Sequence, residues 1–341
     1  MSDNFFTASD ATLIKKESLK AEQLGCLTDA QLRLARDKKF FHCAVPNELG
    51  GGMLSLARQM KLFEEASRID GSFGWTLTLG AGAGLFAAFM NPEFAREVYE
   101  SRNAFITGSG YPAGTARPAK NKYVINGKWK YASGSPFATL FTASCMIQTG
   151  ESENPEIRAM AFYPKEVKSP DTWNSYGLKA TASHDFEVND VTIPAERSFI
   201  MKPQPAYENY TLYRYPFMPY ASASLASSMY GITLGFMDEA QNVTRSDTWP
   251  AHSLDEFSEK LHQSVHVLWN RIGKGEKPGN EYIHSVNRAA KTLAEQCRQM
   301  ALKYYIESGM SVLEQNAPIN RYWRDLMTAG QHIMLRFESA E

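Results

Sequence analysis

The chain has 341 residues, 43% of them hydrophobic and 21% charged, a balance that suits a globular protein with more than one subdomain. Its 36 basic and 37 acidic residues leave a formal net charge of −1, which gives neither nucleic acid nor an anionic membrane surface a reason to bind. The 4 cysteines lie far apart with no C-x-x-C pair, which excludes a disulfide framework and a zinc module and fits a reducing cytoplasm.

The opening stretch MSDNFFTASDATLIKKE is polar and does not read as a secretory signal. Helices are expected over Ala11 to Lys39, with a helix start at Leu27-Thr28-Asp29. A Gly-rich connection, Pro46-Asn47-Glu48-Leu49-Gly50-Gly51-Gly52, follows. Ser55 then caps a helix whose Leu56, Met60, Phe63 and Ala66 share one face, and Arg68 to Ser72 breaks it. Gly74 to Met90 is apolar, but it is short and rich in Gly and Thr, so it predicts a buried helix rather than a membrane span. Asn91-Pro92-Glu93 opens a further helix that runs to about Glu100.

Composition changes at Ala104. From there to about Ile200, turn signals and β-formers predict a small antiparallel β domain. The expected strands are Ala104–Thr107, Lys122–Ile125, Lys128–Ala132, Thr142–Gln148, Arg158–Tyr163, Thr172–Tyr176 and His184–Ile193. Asn126-Gly127 predicts a hairpin turn over Ile125 to Lys128. Strand alternation beyond it puts Trp129, Tyr131 and Ser133 on one face. Such a face is either a platform for a flat polar ligand or the half-buried side of an edge hairpin. The loop Gly108 to Thr115 offers backbone N–H groups and hydroxyls that suit a phosphate or a flavin edge, and it also reads as a plain surface loop. It opens no helix and sits in no βαβ unit, so it is not a Rossmann fingerprint.

From Tyr210 the chain is helical again, with helices over Pro219–Thr244, Leu254–Ile272, Glu281–Glu314 and Ile319 to about Phe337. Short loops between them predict a four-helix bundle. Ala221 to Gly231 is a run of small residues, suited to close helix contact within the bundle or between subunits. His262 and His266 are one turn apart, but Gln263 breaks the H-E-x-x-H pattern, so no metal site is expected. The whole reads as an α+β chain with a helical part over 1–103, a β part over 104–205 and a helical part over 206–341.

Several motifs in this order resemble the acyl-CoA dehydrogenase superfamily of flavoproteins. They are Pro46-x-Glu48-x-Gly50-Gly51, the Asn126-Gly127 strand with its aromatic and hydroxyl residues, and Gly177-Leu178-Lys179-Ala180-Thr181-Ala182-Ser183, continuing to Asn189-Asp190-Val191-Thr192-Ile193-Pro194. Other features resemble the two-component flavin monooxygenases within it, such as the 4-hydroxyphenylacetate hydroxylase oxygenase and dibenzothiophene monooxygenase. These are Ala132-Ser133-Gly134-Ser135, Trp173 ahead of Gly177-Leu178, Thr181-x-Ser183-His184-Asp185, and Arg321-Tyr322-Trp323-Arg324-Asp325 with His332.

The resemblance implies the acyl-CoA dehydrogenase fold: an N-terminal helical domain, a central antiparallel β-barrel and a C-terminal four-helix bundle. It implies a flavin-dependent oxidoreductase, with a monooxygenase favoured, that takes reduced FAD or FMN from a partner reductase and reacts it with O2 on a small-molecule substrate. It also implies a cytoplasmic homo-oligomer, a dimer or tetramer assembled through the bundle. It places Tyr131 against the isoalloxazine and Ser133 as a catalytic and cofactor-binding hydroxyl near N5. Ser109 and Thr115 fall on the loop that holds the ring edge and phosphates. His332 falls in the last bundle helix over the reactive flavin edge, seven residues after Asp325.

The family's dehydrogenases need a glutamate base. Its two alternative places fall at Ile333 and Ala221, and neither is a carboxylate. An acyl-CoA dehydrogenase with a displaced base such as Glu338 is the first alternative, and a catalytically silent binding or assembly relative is the second. Arg324-Asp325 also reads as a buried structural ion pair, and His184 as the cap of a strand turn.

Overall fold

The computed structural model of the chain describes residues 4–148, 156–244 and 252–337; Glu338 lies outside them. Helix α1 (Ala8–Leu24) is capped by Thr7 and α2 (Asp29–Asp37) by Thr28, each in a reciprocal capping box. Helix α3 (Leu56–Ile69) buries Leu56, Met60, Phe63 and Ala66 as their spacing predicts. Ser55 stands at its N-terminus without making a side-chain capping bond. Asp70 ends α3 and caps α4 (Gly71–Ala83), accepting from the Phe73 N–H at 2.8 Å. The apolar segment is therefore a buried helix, as expected, but it passes into a 3₁₀ turn at Gly84–Ala88. Asn91 caps α5 (Pro92–Tyr99). Among the described residues no helix is long and apolar enough to cross a membrane.

Among the described residues six strands follow: β1 (Ile106–Ala119), β2 (Lys122–Ala132), β3 (Leu140–Ile147), β4 (Ile157–Phe162), β5 (His184–Pro194) and β6 (Ser198–Phe199). They form one open sheet in the order β5-β2-β1-β3-β4-β6. This differs from the expected closed antiparallel barrel. After β2 the chain turns through Ser135–Phe137 and returns on the far side of β1, so β1 and β3 run parallel. Trp129, Phe141, Phe162 and Phe186 build the sheet's core, with Trp129 stacked on Phe186 at 5.2 Å.

Three local expectations fail here for identifiable reasons. Asn126-Gly127 makes no turn, and β2 runs straight through it. The Asn126 side chain instead exchanges two 2.8 Å hydrogen bonds with Asp190 of β5, and a bulge between Ile125 and Gly127 absorbs the irregularity. The β1–β2 turn lies at Lys120-Asn121, with Lys120 at φ 55°. The Gly108–Thr115 stretch is not a free loop, since β1 continues through it with a register break between Ser109 and Gly114. Thr172–Tyr176 is not a strand. The His184 ring pins it, its Nδ1 accepting the N–H groups of Thr172 at 3.1 Å and Trp173 at 3.0 Å. His184 thus holds the turn before its strand, as the capping reading expected.

The C-terminal helices are α6 (Thr211–Arg214), α7 (Phe217–Thr244), α8 (His252–Gly273), α9 (Asn280–Glu307) and α10 (Pro318–Ala329). They do not close into a separate group of four, because α3 and α4 pack on α7 as well. The small-residue run of α7 is consumed in that contact. Ser67 and Ser228 hydroxyls meet at 2.8 Å, and a Cβ on Gly231 would lie 2.3 Å from the Glu64 carbonyl oxygen. Helices α9 and α10 end earlier than their patterns suggest, and 3₁₀ turns at Gly309–Leu313 and Ile333–Leu335 complete them.

Candidate functional site

The end of β2 does not keep simple alternation. Tyr131 sits in the left-handed region at φ 68°, which rotates the strand between Trp129 and Ser133. Trp129 is 1% exposed and belongs to the core, Tyr131 is 63% exposed, and Ser133 is 5% exposed. The expected shared face of these three is therefore split. A left-handed conformation is uncommon for a bulky residue and marks a position held by its surroundings.

Those surroundings are the segment Gly177 to Ser183, where Leu178 and Ala182 also have positive φ, at 51° and 45°. Gly134 N–H donates to the Thr181 carbonyl at 2.7 Å, and Ser135 Oγ to the Ala182 carbonyl at 3.0 Å. Ser133 Oγ and Ser183 Oγ lie 2.7 Å apart, as do Ser183 Oγ and Thr181 Oγ1. Thr107 of β1 adds a 2.6 Å hydrogen bond to the Ser133 carbonyl. The result is a buried row of hydroxyls. Tyr131 rims it, packed edge-on against Trp173 at 5.9 Å, and Trp173 Nε1 donates to the Leu178 carbonyl at 2.9 Å.

Helix α10 reaches this segment from the other side. Asp325 Oδ1 accepts the Leu178 N–H at 2.5 Å, and Ser72 of α4 lies 3.5 Å from Oδ2. Arg324 and Asp325 do not pair with each other. Arg324 Nη2 meets Glu22 of α1 at 2.7 Å, while Arg321 faces Asp70 at 3.8 Å. Neighbours on a helix point about 100° apart, so adjacent charges seek different partners. Burial, and then the carboxylate of Asp70, push Asp325 up to about 7.

His332 is not in the last helix. It caps the 3₁₀ turn after α10, its Nδ1 accepting the Met334 N–H at 3.3 Å. With Nδ1 accepting, the ring proton resides on Nε2. Burial lowers its pKa to about 4, so the ring is neutral at physiological pH. It lies edge-on to Trp75 at 6.1 Å, and Trp75 follows Ser72 by three residues on α4. One face of α4 thus meets both Asp325 and His332. Among the described residues no hydrogen bond joins His332, Ser109 or Thr115 to the hydroxyl row. Ser109 and Thr115 are half-buried on either side of the register break in β1.

Residues 254–337 match the family described as Acyl-CoA dehydrogenase, C-terminal domain. The chain is 23% identical over 316 residues to an indole-3-acetate monooxygenase of Acinetobacter baumannii, spanning 86% of this chain and 80% of that protein. It is 20% identical over 349 residues to the flavin-dependent monooxygenase oxygenase subunit HsaA of Rhodococcus jostii, spanning 94% and 91%. The solved structure of XiaF from Streptomyces sp., in complex with FADH2 and glycerol, superposes with a TM-score of 0.83 at 18% identity, covering 96% of this chain and 90% of that one. The chain has the acyl-CoA dehydrogenase fold.

Ile333 and Ala221, the two positions that the sequence resemblance assigns to a dehydrogenase's glutamate, are exposed and half-buried respectively. His262 and His266 have separate partners, Glu64 at 3.0 Å and Asn270 at 2.8 Å, and do not converge. A concavity of about 740 Å³ between α8 and α9 contains none of the candidate residues. The residues at the end of β2 fit an isoalloxazine by their chemistry. Buried hydroxyls match its polar edge, and the exposed Tyr131 beside Trp173 offers a flat apolar flank. The sequence singled out Ser133 and Tyr131 as candidates but gave no role to Thr107, Thr181, Ser183 or Trp75. The one available signal was the close spacing of Thr181 and Ser183 after Gly177.

Proposed function

We propose that this chain is the oxygenase of a two-component flavin monooxygenase. It takes reduced FAD or FMN from a separate reductase in the cytoplasm and uses O2 to oxygenate a small, flat organic substrate. When bound, the reduced flavin supplies the two electrons with which one oxygen atom enters the substrate and the other leaves as water. The chain's own residues bind and orient. Ser133 addresses the polar edge near N5, Tyr131 and Trp173 flank the ring, and Ser109 and Thr115 hold the ring edge and phosphates. His332, neutral with its proton on Nε2, acts as a hydrogen-bond donor rather than as a base at rest.

One observation carries this reading. A buried hydroxyl row stands beside an exposed aromatic flank, and the residues that the sequence resemblance sets at a dehydrogenase's glutamate positions, Ile333 and Ala221, are not carboxylates. The relatives named as an indole-3-acetate monooxygenase and as a flavin-dependent oxygenase subunit support the same chemistry and an aromatic substrate class. The test is anaerobic mixing with reduced flavin, followed by O2 and indole-type or phenolic substrates. Tight binding of reduced flavin and an oxygenated product are expected. Absence of flavin binding would overturn the proposal.

A further inference from the structure

The hydroxyl row has a direction, and its last member fixes it. Thr181 Oγ1 lies 2.8 Å from the Leu178 carbonyl oxygen. A carbonyl has no proton to give, so Thr181 is the donor. A hydroxyl has only one proton. The 2.7 Å contact between Ser183 and Thr181 must therefore be Ser183 donating. By the same count, Ser133 donates in its 2.7 Å contact with Ser183. Thr107 gives its own proton to the Ser133 carbonyl, so it does not compete for the hydroxyl. All three hydroxyls of the row are buried, so no bulk water reorients them. The Ser133 proton points into the protein, and the hydroxyl presents lone pairs to a ligand.

Reduced isoalloxazine carries an N–H at N5, whereas the oxidised ring has a lone pair there. An acceptor at Ser133 completes a hydrogen bond with the first and opposes lone pair to lone pair with the second. Resting on the flavin reading above, we propose that Ser183 and Thr181 are positioning residues that make the site select reduced over oxidised flavin, by holding the Ser133 hydroxyl as an acceptor. Reversing the row to greet oxidised flavin would break the 2.8 Å Thr181 bond to the Leu178 carbonyl, so the outward orientation costs one buried hydrogen bond. The selectivity suits an oxygenase that must capture reduced flavin and release it once oxidised.

The experiment compares Kd for dithionite-reduced FAD, measured anaerobically, with Kd for oxidised FAD, and repeats both with FMN. The midpoint potential of the bound flavin is a second readout. The wild-type chain should bind the reduced form at least about tenfold more tightly, the worth of one hydrogen bond made against one opposed. In Ser183→Ala the Ser133 proton is free to turn outward, so this preference should fall about tenfold, mainly by tighter oxidised binding. Thr181→Val removes the anchor and should do the same, whereas Thr181→Ser keeps the row and the wild-type ratio. Ser183→Ala or Thr181→Val protein with a wild-type circular dichroism spectrum and an unchanged ratio overturns the proposal. So does a wild-type chain that binds both forms equally. A wild-type chain that binds neither form overturns the flavin reading itself, and this proposal with it.

Discussion

Asp325 accepts the backbone N–H of Leu178 at 2.5 Å, joining residues 147 positions apart. This bond holds the turn that carries Thr181 and Ser183 against α10. A Cβ on Gly177 would lie 2.0 Å from the Arg324 carbonyl oxygen, so the approach tolerates no side chain there. Asp325→Ala leaves the buried Leu178 N–H without an acceptor. Urea denaturation should show a loss of about 2 kcal/mol, and flavin affinity should fall with it. Asp325→Asn keeps an acceptor oxygen and should lose less of both.

The same residue predicts a pH dependence of stability. Its pKa rises from 3.8 to about 7 on folding, so the folded chain holds this proton more tightly than the unfolded one. Its contribution is complete below about pH 4 and is lost as pH rises through about 7. Carboxylates such as Glu166 and Glu295, lowered in the fold, slope the other way. The measurement is therefore the difference between wild type and Asp325→Asn. The variant, permanently neutral, should gain on wild type as pH rises from about 4 to 7. A parallel pair of stability curves would show that Asp325 titrates normally.

Neutral His332 predicts a flat profile. Its pKa is lowered from 6.5 to about 4, so it changes charge well below the physiological range. The rate of product formation should show no inflection from this group between pH 5 and 8. His332→Ala should still bind flavin but lose product by about a hundredfold, the scale of a lost proton-handling group. His332→Gln, which keeps an N–H donor, should retain more of it. Product formed per O2 consumed is the readout, and full coupling in His332→Ala would remove the residue from the mechanism.

Assembly, if it occurs through the C-terminal helices, must use a surface other than the small-residue run of α7. Leu302, Ile306, Met310 and Leu313 are all at least half exposed at the end of α9 and in the turn beyond it. An apolar stripe of this kind favours contact with a second copy. Light scattering should report a multiple of 38.2 kDa for the wild-type chain and a shift toward monomer for Ile306→Glu. A wild-type monomer at micromolar concentration would rule out the dimer and the tetramer alike.

The helices were readable because their signals are local. Thr28 and Asn91 cap where they should, the apolar face of α3 follows its periodicity, and α4 is buried on all sides as its apolar run implies. The β domain was readable in most of its strands, Thr172–Tyr176 excepted, but not in its turns. Asn126-Gly127 has the composition of a hairpin turn, yet its Asn belongs to a pairing with Asp190, 64 residues away. Tyr131 breaks alternation through a φ that no sequence period encodes. The hydroxyl row is invisible for the same reason, since its members at 133 and 183 meet only once the sheet is formed. His332 falls outside the helix because α10 ends at Ala329, at the Gly330 boundary, earlier than its apolar spacing implies.

The close seating of α3 on α7 has a consequence for how the chain is made. The face of α3 that carries Met60, Glu64 and Ser67 leaves the ribosome long before its cover, since Ser228 lies 161 residues further on. Until α7 is synthesised, that face has only the flanking N-terminal helices and water. Nascent chains stopped before residue 231 should therefore be degraded or held by chaperones, and the first half of the protein acquires its final packing only after α7, well into the second half, has been made.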